Sequence, residues 1–299
     1  MKKALILVAL VLSIFVGLLF VSNDKQEEKP YIAVTNFALY EICSQIVKGK
    51  VEVKNLIPFG AEVHSYMPSV KTMTLISKAK LFVINGLSME PWIKKEYSNE
   101  MDMSKFVHLK GACDEHAHEG HAHAKEDFDP HYWLDLVNMQ KMTEALTKKL
   151  SELFPSNAQL FSTNAKVYIE KLKALDLQYK KSLKVCTQRE IVVNHNAFAY
   201  LGSRYDFHTH AVTGLSSDEQ VSAKKMKEIV DLVKDENIKT IFFESFVSDK
   251  VALTIAKETG AEVSSLQPLA NVTEEEAKIG YISLMQDNLE KLSKAMQCQ

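Results

Sequence analysis

The stretch PSNAQLFSTNAKVYIEKLKALDLQYKKSL, residues 155–183, decides the architecture. Phe161, Ala165, Tyr168, Leu172, Leu175, Tyr179 and Leu183 recur in it at three- and four-residue steps, which lays one apolar stripe along a helix. Pro155 marks its start, where a missing backbone N–H costs nothing. From Ser156 to Leu183 such a helix runs roughly 40 Å at 1.5 Å per residue. A continuous helix is a stiff connection, unlike a hinge of loops, so the halves it joins can close on each other only modestly.

Both halves alternate short β-rich runs with helical ones. Upstream, strands are expected at 31–35, 51–57 and 81–84, with helices at 37–47 and 68–79. Downstream, strands are expected at 191–193 and 240–243, with helices at 197–205, 222–235, 249–259 and 278–296. Strands alternating with helices imply βαβ units and parallel sheets. The expected fold is therefore α/β with two lobes, each a parallel-type sheet with flanking helices, joined by one long rigid backbone helix. The division places an N-terminal lobe at 30–154, the linking helix at 155–184 and a C-terminal lobe at 185–299.

The 299 residues are 46% hydrophobic and 25% charged, an ordinary globular balance, and the formal net charge of −2 argues against a nucleic-acid partner. Lys2 and Lys3 precede an unbroken apolar run from Ala4 to Val21, followed by a polar stretch to Lys29. That is the order of an export signal, so residues 1–22 read as a signal peptide or N-terminal anchor and 23–29 as a linker. Phe20-Val21-Ser22 lacks the small-x-small pattern of a cleavage site, which keeps anchoring through residues 4–21 open. No cysteine ends the run, so lipid attachment there is not expected. Cys43, Cys113, Cys186 and Cys298 are widely spaced; Cys186 and Cys298 share the second half and can pair, while buried free thiols are the alternative.

Three histidines stand in matching loop contexts. His64 lies just beyond a strand in Gly60-Ala61-Glu62-Val63-His64-Ser65-Tyr66, and His195 follows a strand in Val193-Asn194-His195-Asn196-Ala197-Phe198. His131 precedes a helix in Asp129-Pro130-His131-Tyr132-Trp133-Leu134-Asp135. Open α/β sheets bind ligands at the carboxyl ends of their strands. A single such histidine is more often structural than ligating; three together suit a tetrahedral zinc site with a fourth oxygen ligand. His116, His118, His121 and His123, among acidic residues in 114–127, form a mobile surface loop with secondary, weaker metal contacts. His208 and His210 alternate as residues of a half-exposed strand do, and His108 reads the same way.

From about Tyr31 onward the chain resembles the metal-binding receptors of bacterial ABC importers for zinc and manganese, most of all the periplasmic zinc-uptake receptors. The resemblance is carried by the three histidine segments quoted above, by Thr213-Gly214-Leu215, by Phe242-Phe243-Glu244 and by Leu266-Gln267-Pro268-Leu269, in the family's order. It implies His64, His131 and His195 as metal ligands, with Glu62, Gln267 or water fourth, and Zn2+ as the transported ligand. Many relatives carry an Asp where Gln267 stands, and manganese receptors tend to carry a Glu where His195 stands; both departures favour zinc over the more oxygen-seeking manganese. The resemblance also implies a monomeric periplasmic receptor, not an enzyme, whose partner is the membrane permease of a zinc ABC importer. The alternatives are a Mn2+ or Fe2+ receptor of the same family, a metal-dependent adhesin, and a zinc hydrolase. The hydrolase would need a placed general base, and no His-Glu-x-x-His helix occurs.

Overall fold

The computed structural model describes residues 29–111, 128–215, 220–244 and 249–299. The expected signal or anchor, Cys113 and the histidine-rich loop lie outside the described residues. Tyr31 to Gln299 form one compact unit.

The first sheet is built from β1 (Tyr31–Val34), β2 (Glu52–Asn55), β3 (Leu81–Ile84) and β4 (Glu100–Asp102), ordered β2-β1-β3-β4 with every pair parallel. The second repeats that order with β5 (Glu190–Val193), β6 (His208–Ala211), β7 (Thr240–Phe243) and β8 (Glu262–Ser265), arranged β6-β5-β7-β8. In each sheet the first strand has neighbours reached in opposite directions, which opens a crevice at its carboxyl end. Alternation divides each central strand between two cores. Ile32 and Val34 face the main core and Tyr31 and Ala33 the outer one; Ile191 and Val193 likewise face the main core and Val192 the outer. Burial on both faces explains why these strands read as unbroken apolar runs.

Helices α1 (Phe37–Val47), α2 (Val70–Lys78) and α3 (Leu136–Leu153) accompany the first sheet. The linking helix α4 spans Ala158–Ser182, entered through a 3-10 turn at Pro155–Asn157. Its buried side is the stripe read from sequence, plus Asp176. Asn164 Nδ2 donates to Ile46 O of α1 at 2.9 Å at one end, and at the other Tyr179 Oη donates to Met285 O at 2.6 Å. A single main core runs through both lobes and this helix.

The second sheet is accompanied by α5 (Ala199–Tyr205), α6 (Ala223–Asp235), α7 (Lys250–Thr259), α8 (Glu274–Ile279) and α9 (Tyr281–Ala295). The closing helix expected at 278–296 is α9, and a short α8 that was not expected stands just before it. Thr273 and Glu276 form a reciprocal capping box that starts α8, and Gly280 (φ 86°, ψ 158°) breaks it from α9. β4, β8 and α3 were not legible as separate elements. His208 and His210 do lie in a strand, the edge strand β6, with His210 Nε2 2.6 Å from Glu190 Oε2. His108 does not: its N–H donates to Asn138 Oδ1 at 2.9 Å and its carbonyl accepts from Asn138 Nδ2 at 3.0 Å. One side-chain amide supplies the pair of bonds a neighbouring strand would give. Cys186 and Cys298 are joined in a disulfide, whereas Cys43 is a buried free thiol.

Candidate metal centre

His64 stands in the loop between β2 and α2. Val63 is fully packed beside it, and the loop is pinned from the other lobe: Asn271 Nδ2 donates to Pro58 O (2.7 Å) and Ala61 O (2.8 Å), and Gly60 N donates to Val272 O (2.9 Å). His131 begins the 3-10 turn Tyr132–Leu134 at the head of α3. That turn is locked on both sides, as Tyr132 Oη donates to Asn85 O at 2.6 Å and Trp133 Nε1 to Pro268 O at 2.7 Å. His195 follows β5, where Asn196 N donates to Gly214 O at 2.8 Å and holds the loop against the segment after β6.

The three side chains meet. Nε2 of His131 lies 3.3 Å from Nε2 of His64 and 3.4 Å from Nε2 of His195. The three form the one group of potential metal-binding His, Cys, Asp and Glu side chains found among the described residues. His131 and His195 are buried and His64 is half-buried, so the access side is that of His64.

The far ring nitrogens explain the arrangement. His131 Nδ1 lies 2.8 Å from Asp129 Oδ1, and His195 Nδ1 lies 2.5 Å from Glu244 Oε1. A carboxylate accepts, so each Nδ1 carries the proton and each Nε2 turns a lone pair toward the common centre. Between neutral rings the close Nε2 contacts are therefore not hydrogen bonds. Burial, then the neighbouring His131 and His195, push the His64 pKa down to about 2, so the His64 ring is neutral. For His195, burial is the largest single influence and lowers the pKa, but the charge and hydrogen bond of Glu244, helped by Glu62 and Asp129, outweigh it and raise it. Three lone pairs aimed at one point repel one another unless a cation lies between them.

The geometry can be checked against an ion. Two nitrogens each about 2.05 Å from a tetrahedral zinc lie about 3.3 Å apart. The observed 3.3 and 3.4 Å separations match that spacing.

Glu62 and Gln267, the two candidate protein ligands for the fourth position, each make other bonds as well. Glu62 Oε1 accepts from His64 N at 3.0 Å, and its charge still reaches His195. Gln267 is buried, with its backbone N–H on Asn288 Oδ1 (2.9 Å) and Nε2 donating to Glu276 Oε1 at 2.5 Å. His116, His118, His121 and His123 fall outside the described residues. In sequence Asp129 and Glu244 stand only as members of motifs, with no role of their own; both orient imidazoles. The Asp129-Pro130-His131 spacing carried a signal for the first, since Asp129 Oδ1 also accepts His131 N at 2.9 Å and forms a local turn. The motif Phe242-Phe243-Glu244 marks Glu244 but does not name its partner, which is 49 residues away.

The model of the family described as zinc-uptake complex component A, periplasmic (ZnuA) matches residues 32–295. The chain is 36% identical to the zinc-binding lipoprotein AdcA of Streptococcus pneumoniae serotype 4, over 98% of this chain and 60% of that protein. This chain thus spans about 60% of the length of AdcA. It is 34% identical to the high-affinity zinc uptake system protein ZnuA of Bacillus subtilis strain 168, over 92% of this chain and 90% of that one. The crystal structure of the Zn(II)-bound ZnuA-like domain of Streptococcus pneumoniae AdcA superposes with a TM-score of 0.75 at 33% identity, covering 90% of this chain and 99% of that domain. The chain belongs to the ZnuA family of periplasmic zinc-uptake components.

Proposed function

We propose that this protein is an extracytoplasmic receptor that captures Zn2+ with His64, His131 and His195 and delivers it to the membrane permease of an ABC importer. The observation that carries the reading is the convergence of three Nε2 lone pairs at zinc-like spacing, two of them fixed by carboxylates. The ion is cargo: it is bound, protected and released, and no bond is made or broken on it. Ligands come from both proposed lobes, 30–154 and 185–299, so a bound ion bridges them. Three imidazoles favour zinc over manganese, which prefers carboxylate and water oxygens. Asp129 and Glu244 spend their charge on His131 and His195 and are not available as the general base a hydrolase would need. The fourth position belongs to water, Glu62 or Gln267, since the bond to Glu276 uses the Gln267 Nε2 and not the Oε1 that would ligate. The apolar run at 4–21 accounts for export and, if retained, for tethering; the histidine-rich loop 114–127 supplies weaker outlying contacts.

Chelator competition tests the assignment directly. His131→Ala or His195→Ala abolishes tight zinc binding, while deletion of residues 115–126 leaves it largely intact. Loss of the tight site on loop deletion, with retention in the alanine variants, would put the site elsewhere.

A further inference from the structure

His131 and His195 come from different lobes, yet one short helix holds both of their segments. α5 starts four residues after His195 and touches the His131 segment at its two ends. At the near end Tyr200 Oη donates to Asp129 O at 3.0 Å and accepts from Lys110 N at 2.8 Å. At the far end Arg204 Nη2 donates to Asp135 Oδ2 at 2.7 Å, and Nε sits 2.6 Å from Oδ1 as an ion-pair contact without an aligned hydrogen bond. Asp135 is the helix cap of α3: its Oδ1 accepts from Val137 N at 2.7 Å and Asn138 N at 3.2 Å. Arg204 also faces Asp176 of the linking helix, with Nη1 4.0 Å from Oδ1, an oxygen that accepts from Tyr205 Oη at 2.9 Å. The side chains are only 22% (Arg204), 11% (Asp135) and 10% (Asp176) exposed, so water screens this cluster little. His131 is thus bracketed between Asp129 and Asp135, and α5 grips both.

We propose that Arg204 is a positioning residue: through Asp135 it sets the separation of His131 and His195, and with it the affinity and release rate of the bound ion. This rests on the reading of the three histidines as zinc ligands. Arginine suits the task because a planar guanidinium engages two carboxylates in fixed directions, which a lysine ammonium does not. The cluster touches no ligand ring; it acts through the backbone of the two segments that carry them.

The test uses the whole chain with zinc alone for affinity and release, and with Co(II) alone for its visible absorption. Arg204→Gln weakens zinc binding about ten-fold, as loss of outer support at a metal centre does, chiefly through faster release into chelator. It also alters the Co(II) ligand-field bands. Arg204→Lys recovers only part of the loss. Adding Asp135→Asn to Arg204→Gln costs less than the two single changes together, since they share one interaction. Tyr200→Phe, a milder change at the other end of the grip, shifts release in the same direction. Glu190→Gln removes the unrelated His210 ion pair and changes none of these. A wild-type Co(II) spectrum and release rate in Arg204→Gln and Tyr200→Phe would overturn the proposal. An equal effect from Glu190→Gln would overturn it too, by showing a general loosening of the lobe. Should wild-type protein bind zinc no more tightly than His131→Ala, the metal-centre reading itself fails and takes this proposal with it.

Discussion

Asp129 and Glu244 show how much of the proposed metal centre lies one step behind its ligands. Each fixes a tautomer, and each raises the basicity of the ring it holds. Replacing either by the isosteric amide, Asp129→Asn or Glu244→Gln, weakens zinc affinity about 10- to 100-fold while leaving all three histidines in place. An affinity unchanged in both, measured by chelator competition, would show that the carboxylates are spectators. Proton competition gives a second outcome at this scale. The His195 pKa is raised and that of His64 is pushed down to about 2, so acidification reaches the site through His195. Its raised folded pKa contributes stability to the metal-free protein that is fully present below about 6.5 and is lost as pH rises through the folded value. Zinc needs the neutral ring, so affinity runs the opposite way and falls with pH. The rise in Tm on adding zinc therefore shrinks from pH 7.5 to 5.5; a constant rise would contradict the site. The histidines were legible because each sits in a loop beside a strand or helix signal. The partner of Glu244 was not, because a pairing across 49 residues leaves no local pattern.

Among the elements, the break between α8 and α9 is the clearest departure from sequence periodicity. Gly280 adopts φ 86° and ψ 158°, a region open in practice only to glycine, and a Cβ there would sit 3.4 Å from Glu41 Oε1 of α1. Burial pushes the Glu41 pKa up, while hydrogen bonds from Gln45 and the Tyr281 backbone pull it back. The lobes thus meet at a glycine with a carboxylate on its face. Gly280→Ala costs about 1–3 kcal/mol of stability from backbone strain. Chemical denaturation reads this out, and an unchanged midpoint would show that the turn relaxes freely. The expected helix 278–296 starts at Tyr281 rather than Lys278, and in the sequence only the capping box Thr273-x-x-Glu276 marks α8 before it. Strands β1, β3, β5 and β7 were legible, being buried on both faces. β4 and β8 lie at sheet edges and read as ordinary polar chain.

For the whole molecule, the governing feature is the 25-residue helix α4, about 37 Å long, whose one buried stripe belongs to a main core shared by both lobes. Closing the lobes by a wide hinge would tear that core. Zinc loading consequently leaves the radius of gyration in solution scattering nearly unchanged; a clear contraction would show that the connection bends. The amino-acid sequence alone determined the α/β class, the two lobes, the stiff helix between them and the three histidines. These are written in local periodicity and in short motifs, each contained within a few residues of chain. Tertiary structure decided what depends on distance. It brought three Nε2 atoms within 3.4 Å neighbour spacings, set Glu244 behind His195 and closed Cys186 on Cys298. It also engaged the Gln267 amide with Glu276 and laid Arg204 across to Asp135. Each of these joins groups that the chain separates, and chain separation erases any periodic trace. Their geometry exists only once the core has paid the entropy of bringing the lobes together.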